Sequence, residues 1–265
     1  MSLAGYQRAL AELVRSAPLR QELAGLPEPE LPAALAPFEL TERERRRLHA
    51  VARDRGLRVA TMLHRATRLS MLSNTIPRTC RAVGAQRLKP LMHRFWQEND
   101  FTSPLFMVEA RRFGAFLRER LRLGEVVSEL LPDLLDAELA YTELRQGGAP
   151  PPARPEPLPE GSVLEAALPE RAPSCRVMAV HQHPEELLKA LGQPSAPWPE
   201  GSTHLVLEIQ ASGAVSLSGV DAERGRALLA STGERSVARL CAELGCASGV
   251  FGELAGRGLL RLRAP

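Results

Sequence analysis

Apolar residues recur at helical spacing through the first half of the chain and at strand spacing in much of the second. Leu3, Tyr6, Leu10, Leu13 and Val14 form one stripe that stops at Pro18, and Pro27, Pro29, Pro32 and Pro37 punctuate a bridge after it. Thr41 then offers a helix N-cap, and Glu44 stands where a capping box closes. Leu48, Val51, Ala52, Val59, Met62, Leu63, Ala66 and Leu69 continue a helical stripe, with Gly56 as a candidate break. Further helices are predicted over 77–83, 86–98, 104–121 and 125–146. Ser103 before Pro104 is a favourable helix start, and Phe106, Ala110, Phe113, Phe116 and Leu117 give that helix its buried face.

Residues 147–173 carry eight prolines in twenty-seven positions, a composition that favours extended backbone and removes hydrogen-bond donors. Beyond them the period changes. Strands are predicted over 176–180, 204–209 and 214–217, the last two joined by a hairpin at Ser212 and Gly213. Helices follow over 221–230, 236–244 and 248–257, Gly258 stops the last, and 259–263 reads as a final strand. The expected fold is therefore α+β: an all-α domain over 1–146, a Pro-rich linker over 147–173, and a small α/β domain over 174–265 whose order of hairpin and helices is shared by winged-helix modules.

Charge changes this picture in one region. The net charge is only +3, yet between Arg43 and Arg94 fourteen Arg or Lys residues face two acids, Glu44 and Asp54. Such a helical surface suits an acidic partner, either nucleic-acid phosphate or a carboxylate-rich protein face. Aromatic residues make up 4% of the chain and do not alternate with the arginines, which argues against a stacking platform for single strands. The first thirty residues mix Arg8, Glu12, Arg15 and Arg20 into the apolar pattern, unlike a secretory signal, so a cytoplasmic location is expected. Four irregularly spaced cysteines, Cys80, Cys175, Cys241 and Cys246, do not form a disulfide framework or a zinc knuckle.

Candidate chemistry is sparse. His181 and His183, with Glu185 and Glu186 behind them, are the nearest thing to a metal-ligand cluster, but Pro184 beside them favours a plain strand exit. Cys80 shares a basic segment with His64, sixteen positions away, and no third member completes a nucleophilic set. Gly245, Gly249, Gly252, Gly256 and Gly258 fit neither phosphate-loop pattern.

Two stretches resemble known proteins. The text from Arg65, RATRLSMLSNTIPRTCRAVGAQRLKPLMHRFWQENDFTSPLFMVEARRFGAFLRERL, is followed by LLPDLLDAELAYTELRQ. Its order of Ile76-Pro77, Thr79, Gly84, Ser103-Pro104, the apolar patch from Phe113 to Leu117, and a stretch with Asp136 and Glu138 resembles the helical domain of a particular subunit family. These are the partner subunits of methanobactin-type multinuclear iron oxidases. The segment 204–263, with STGERSVARLCAELG and GELAGRGLLRL, resembles the small C-terminal domain of the same subunits. It is also similar to the winged domain that recognises leader peptides of ribosomally made, modified peptides (RiPPs).

The resemblance implies a non-catalytic accessory subunit of a heterodimer. It would bind a cysteine-containing precursor peptide and present it to a barrel-type iron oxidase, with no cofactor in this chain and the iron in the companion. Leader binding is expected by strand addition along His204, Leu205, Val206, Leu207, Glu208 and Ile209. Arg111, Arg112 and Arg118 are expected to hold acidic residues of leader or enzyme. The alternative is a nucleic-acid-binding winged-helix regulator.

Overall fold

The computed structural model describes residues 3–99, 106–146 and 161–264. It is a mixed α+β structure dominated by helices, with two small antiparallel sheets. The chain divides into two compact units. One holds 1–74 and 85–104, and the other holds 75–84 and 105–265.

The first unit is helical. α1 (Leu3–Arg15) and α2 (Ala17–Gly25) are separated by Ser16, whose hydroxyl accepts the Leu19 amide and caps α2. Pro18 thus opens a second helix, because proline suits the first turn. A short 3-10 turn and α3 (Leu31–Ala34) fill the proline-punctuated bridge. α4 (Glu42–Arg53) starts with the expected capping box: the Glu44 carboxylate accepts the Thr41 amide at 2.8 Å while Thr41 Oγ1 accepts the Glu44 amide. Asp54 ends α4, and its carboxylate takes the Gly56 amide at 2.6 Å as α5 (Arg55–Thr75) begins. α7 (Ala85–Glu98) completes the described helices of this unit, the intervening α6 (Pro77–Val83) belonging to the other. Ala9, Leu13, Leu23, Leu31, Leu35, Leu40, Leu48 and Ala52 form its core. α5 departs from expectation: Val59, Met62 and Leu63 are 45%, 65% and 60% exposed, so this part of the stripe is surface.

The second unit contains α6, α8 (Phe106–Arg122), α9 (Leu131–Gln146), α10 (Gly161–Ala166), β1 (Leu168–Arg171), β2 (Cys175–Ala179) and α11 (Pro184–Ala190). These are followed by β3 (Ser202–Ile209), β4 (Val215–Asp221), α12 (Ala222–Ala230), α13 (Val237–Leu244), α14 (Gly249–Gly256) and β5 (Leu260–Arg263). One sheet has the order β2-β3-β4, the other pairs β1 with β5, and every pairing is antiparallel. Both faces of the larger sheet are covered. Val206, Val220 and Cys175 share a core with Ala227, Leu228, Phe251 and Leu254 of the C-terminal helices. Alternate residues Leu205, Leu207, Ile209, Val215 and Leu217 pack with Leu134, Ala137 and Leu144 of α9 and Leu187 and Leu188 of α11.

The expected boundary after residue 146 therefore differs from the one observed. α9 shares a core with the sheet on one side. On another side its Leu135 and Leu139 approach Gly114 of α8, where an added Cβ would lie 3.2 Å from Leu139 Cδ1. A helix buried on two faces cannot close a free-standing helical domain. Of the expected linker, 147–160 lie outside the described residues, and 161–173 include α10 and β1. The Ser103-Pro104 helix start also lies outside the described residues. Among the described residues, no helix is long and apolar enough to cross a membrane.

Two buried acids on α9 fix the unit's loops. Glu138, 1% exposed, accepts the Arg78 and Thr79 amides at 2.8 and 2.6 Å and so caps α6. Asp133, also 1% exposed, accepts the His181 and Gln182 amides at 2.8 and 3.2 Å. A carboxylate receiving two backbone amides offsets the cost of its own burial.

Candidate functional site

Strand addition needs backbone groups that no neighbour has taken. The expected peptide strand, His204 to Ile209, does not offer them. β3 is the central strand, paired with β2 from Cys175↔Glu208 to Ala179↔His204 and with β4 from His204↔Val220 to Ile209↔Val215. Its side chains are enclosed as well, with Leu205, Val206 and Leu207 at 0–1% exposure. Glu208 faces a half-buried setting that raises its carboxyl above the usual range, with Arg257 opposing. His204 lies against Gly225 of α12, and its Nδ1 is 2.9 Å from Thr203 Oγ1. Burial, with Arg226 nearby, pushes the His204 imidazole below its ordinary value.

The open edge belongs to β2. The Val180 amide donates to the Thr203 carbonyl and the Ile209 amide to the Ser174 carbonyl, both at 2.9 Å, so even-numbered residues of this strand face β3. The amides and carbonyls of Val177 and Ala179 then point to the other side. Among the described residues, no strand pairs there. The neighbouring outward carbonyl, Cys175, is already taken by Arg176 Nη1 at 2.8 Å. All of Arg176, Val177, Met178 and Ala179 are half-buried, as befits an edge strand. β4 is the other edge, but it is obstructed: the Gly219 amide donates to the Pro197 carbonyl, and an added Cβ there would come within 2.9 Å of the Trp198 ring.

Charges of both signs surround β2, with Glu208 on its neighbour and Glu143 3.9 Å from Arg176. Arg171, Arg176 and Arg257 all act on the Cys175 thiol, yet burial dominates and pushes it up to about 12. Cys175 is fully buried and chemically quiet, because the thiolate is the reactive form.

The arginines expected to bind a partner already have duties within the unit. Arg111 Nε donates to Glu143 at 2.8 Å, and Arg118 pairs with Asp136, so both clamp α8 to α9. Arg112 is exposed on the same helix. His181 and His183 diverge to different acids: His181 Nδ1 lies 2.8 Å from Asp133 and His183 Nε2 lies 3.2 Å from Glu129. Among the described residues, no three His, Cys, Asp or Glu side chains gather as a metal site. Cys80 is buried at 5% exposure within α6.

Asp133 and the open edge of β2 were not singled out in the sequence, and Glu138 was named there only as part of the resemblance, without its capping role. The available signal for Glu138 was an acid set among apolar residues in the middle of α9, whereas Asp133, in its first turn, looks like an ordinary N-terminal acid. Nothing in the sequence orders the three strands. No protein-family model matches the chain, and no curated protein sequence matches it.

Proposed function

We propose that the chain is a non-catalytic polypeptide-holding subunit that loads an extended precursor peptide along the outer edge of β2. The observation that carries this is the set of four outward backbone groups on Val177 and Ala179, on a strand whose other edge is fully paired. Four new backbone hydrogen bonds contribute roughly 2–6 kcal/mol in total, enough for capture once side-chain pockets add to it. In keeping with the sequence resemblance, the peptide is proposed to be the leader of a cysteine-containing ribosomal precursor. Its consumer would be a barrel-type multinuclear iron oxidase that pairs with this subunit as a heterodimer and carries the iron. In this proposal α12, α13 and α14, with the β1 and β5 ribbon, act as a winged recognition module.

The nucleic-acid alternative has less support from the same module. α14 presents Gly249, Glu253 and Gly256 outward, and Glu253 is held by Arg224 at 2.6 Å. An acidic, glycine-bearing helix face is poorly suited to phosphate.

The test is calorimetry with the leader half of a short cysteine-bearing peptide encoded beside the gene. Ala179→Pro replaces an outward N–H and leaves the β2 and β3 ladder intact, since proline is tolerated on the open side of an edge strand. Binding by the parent chain and its loss in Ala179→Pro are expected. Equal affinity for both proteins would remove the edge-loading proposal.

A further inference from the structure

The first unit contains a groove of about 1110 Å³ between α2, α5 and α7. Its lining includes Val59, Met62, Ala66 and Leu69 of α5, opposite Met92 and Trp96 of α7. The α5 positions step by three, four and three residues, which is the seam of a helix awaiting another helix. From Val59 to Leu69 the seam covers eleven residues, about 15 Å of helix. Part of it is strongly exposed, Val59 at 45% and Met62 at 65%. An isolated exposed Leu or Val needs no explanation, but a contiguous apolar seam does.

The rim is of one sign. Arg20, Arg53, Arg55, Arg58, Arg65 and Lys89 line the groove, and no Asp or Glu does. Among the described residues, Arg53, Arg55, Arg58 and Lys89 make no ion pair. Arg20 donates to the Leu13 and Val14 carbonyls at the end of α1, and burial together with the adjacent Arg65 lowers its guanidinium from the usual value. Cations crowded around an apolar floor repel one another until an anion arrives.

We infer that this groove is a docking site for an amphipathic helix of a partner protein, one that carries an apolar stripe flanked by Glu and Asp. An apolar stripe fills the floor, and carboxylates answer the guanidinium rim with paired hydrogen bonds. Nucleic acid fits less well. Trp96, the one aromatic in the lining, already has Arg68 stacked at 5.1 Å from its ring centre, and the Val, Met and Leu floor gives phosphate nothing to bind. The groove lies wholly in the first unit, so its occupancy and the loading of the β2 edge succeed or fail separately.

The probe is a synthetic helix-forming peptide with leucines at i, i+3, i+7 and i+10 and glutamates on both flanks. Its control carries lysine in place of each glutamate. Fluorescence anisotropy on the full chain should show the glutamate peptide binding, and the lysine peptide binding at least about tenfold more weakly. Met62→Asp and Arg58→Glu, both at exposed positions, should each weaken the glutamate peptide by about tenfold while circular dichroism stays unchanged. Raised salt should erode the Arg58 effect more than the Met62 effect. Equal binding of the two peptides, or equal binding by the parent and both variants, would overturn the inference. So would duplex DNA that competes for the rim and is insensitive to Met62→Asp. Self-association of the chain that disappears in Met62→Asp would overturn it as well, because the occupant would then be a second copy.

Discussion

Gly225 tests how the C-terminal helices seat on the sheet. In an ordinary helix interior, replacing Gly by Ala stabilises by about 1 kcal/mol. Here the added Cβ would fall 2.2 Å from His204 Cγ, 2.3 Å from Nδ1 and 2.6 Å from Cδ2. His204 is 8% exposed and lies on the central strand, so the ring has little room to turn. Overpacking of this severity costs about 3 kcal/mol, at the upper end of the usual range. The helix-propensity gain offsets part of it, leaving a net destabilisation of about 2 kcal/mol. For a unit of this size that lowers the melting temperature by roughly 4–8 °C. Urea unfolding followed by Trp198 fluorescence, in a Trp96→Phe background, reads the second unit alone. In a His204→Ala background the same Gly225→Ala change should become neutral or stabilising, giving a coupling of about 2 kcal/mol or more. Stabilisation by Gly225→Ala alone, or simple additivity with His204→Ala, would refute this account of the contact.

Two further outcomes follow from the buried and capping acids. Glu138→Ala leaves the Arg78 and Thr79 amides without their acceptor and should cost about 2–5 kcal/mol in urea unfolding, with Glu138→Gln recovering part of the loss. Asp221 caps α12 through the Arg224 amide at 2.8 Å, and this bond together with the Arg224 guanidinium holds its carboxyl below the usual aspartate range. A depressed carboxyl contributes its stability above the unfolded value and loses it as pH falls through the folded one. Thermal melts across the acid range should therefore show the parent's advantage over Asp221→Asn in full above the ordinary aspartate range and shrinking as pH falls through the depressed folded value; an advantage unchanged throughout that fall would contradict the capping role.

Local patterns were legible in the sequence, and non-local ones were not. The Thr41 and Glu44 capping box closes within three residues, so sequence alone located it. The hairpin of β3 and β4 turns at Gly213, whose φ of +80° explains the choice of glycine. By contrast, strand order depends on partners far apart in the chain: Cys175 and Glu208 meet across thirty-two residues, and nothing in either segment marks β3 as central. α9 misled the domain boundary because its apolar residues serve two neighbours at once and leave no single stripe. The α5 seam misled in the opposite sense. Apolar residues at Val59 and Met62 read as core positions, since periodicity reports a face to be covered and not what covers it. Arg111 and Arg118 looked like partner contacts because their acids, Glu143 and Asp136, are on the following helix.

Amide exchange measured by NMR on the labelled chain, with and without the leader peptide, tests the central claim most directly. Peptide pairing with β2 should slow the Val177 and Ala179 amides by about tenfold or more while Met178, already bonded to β3, changes little. Peptide binding with new protection at Val215 and Leu217 instead, or with none at Val177 and Ala179, would contradict it.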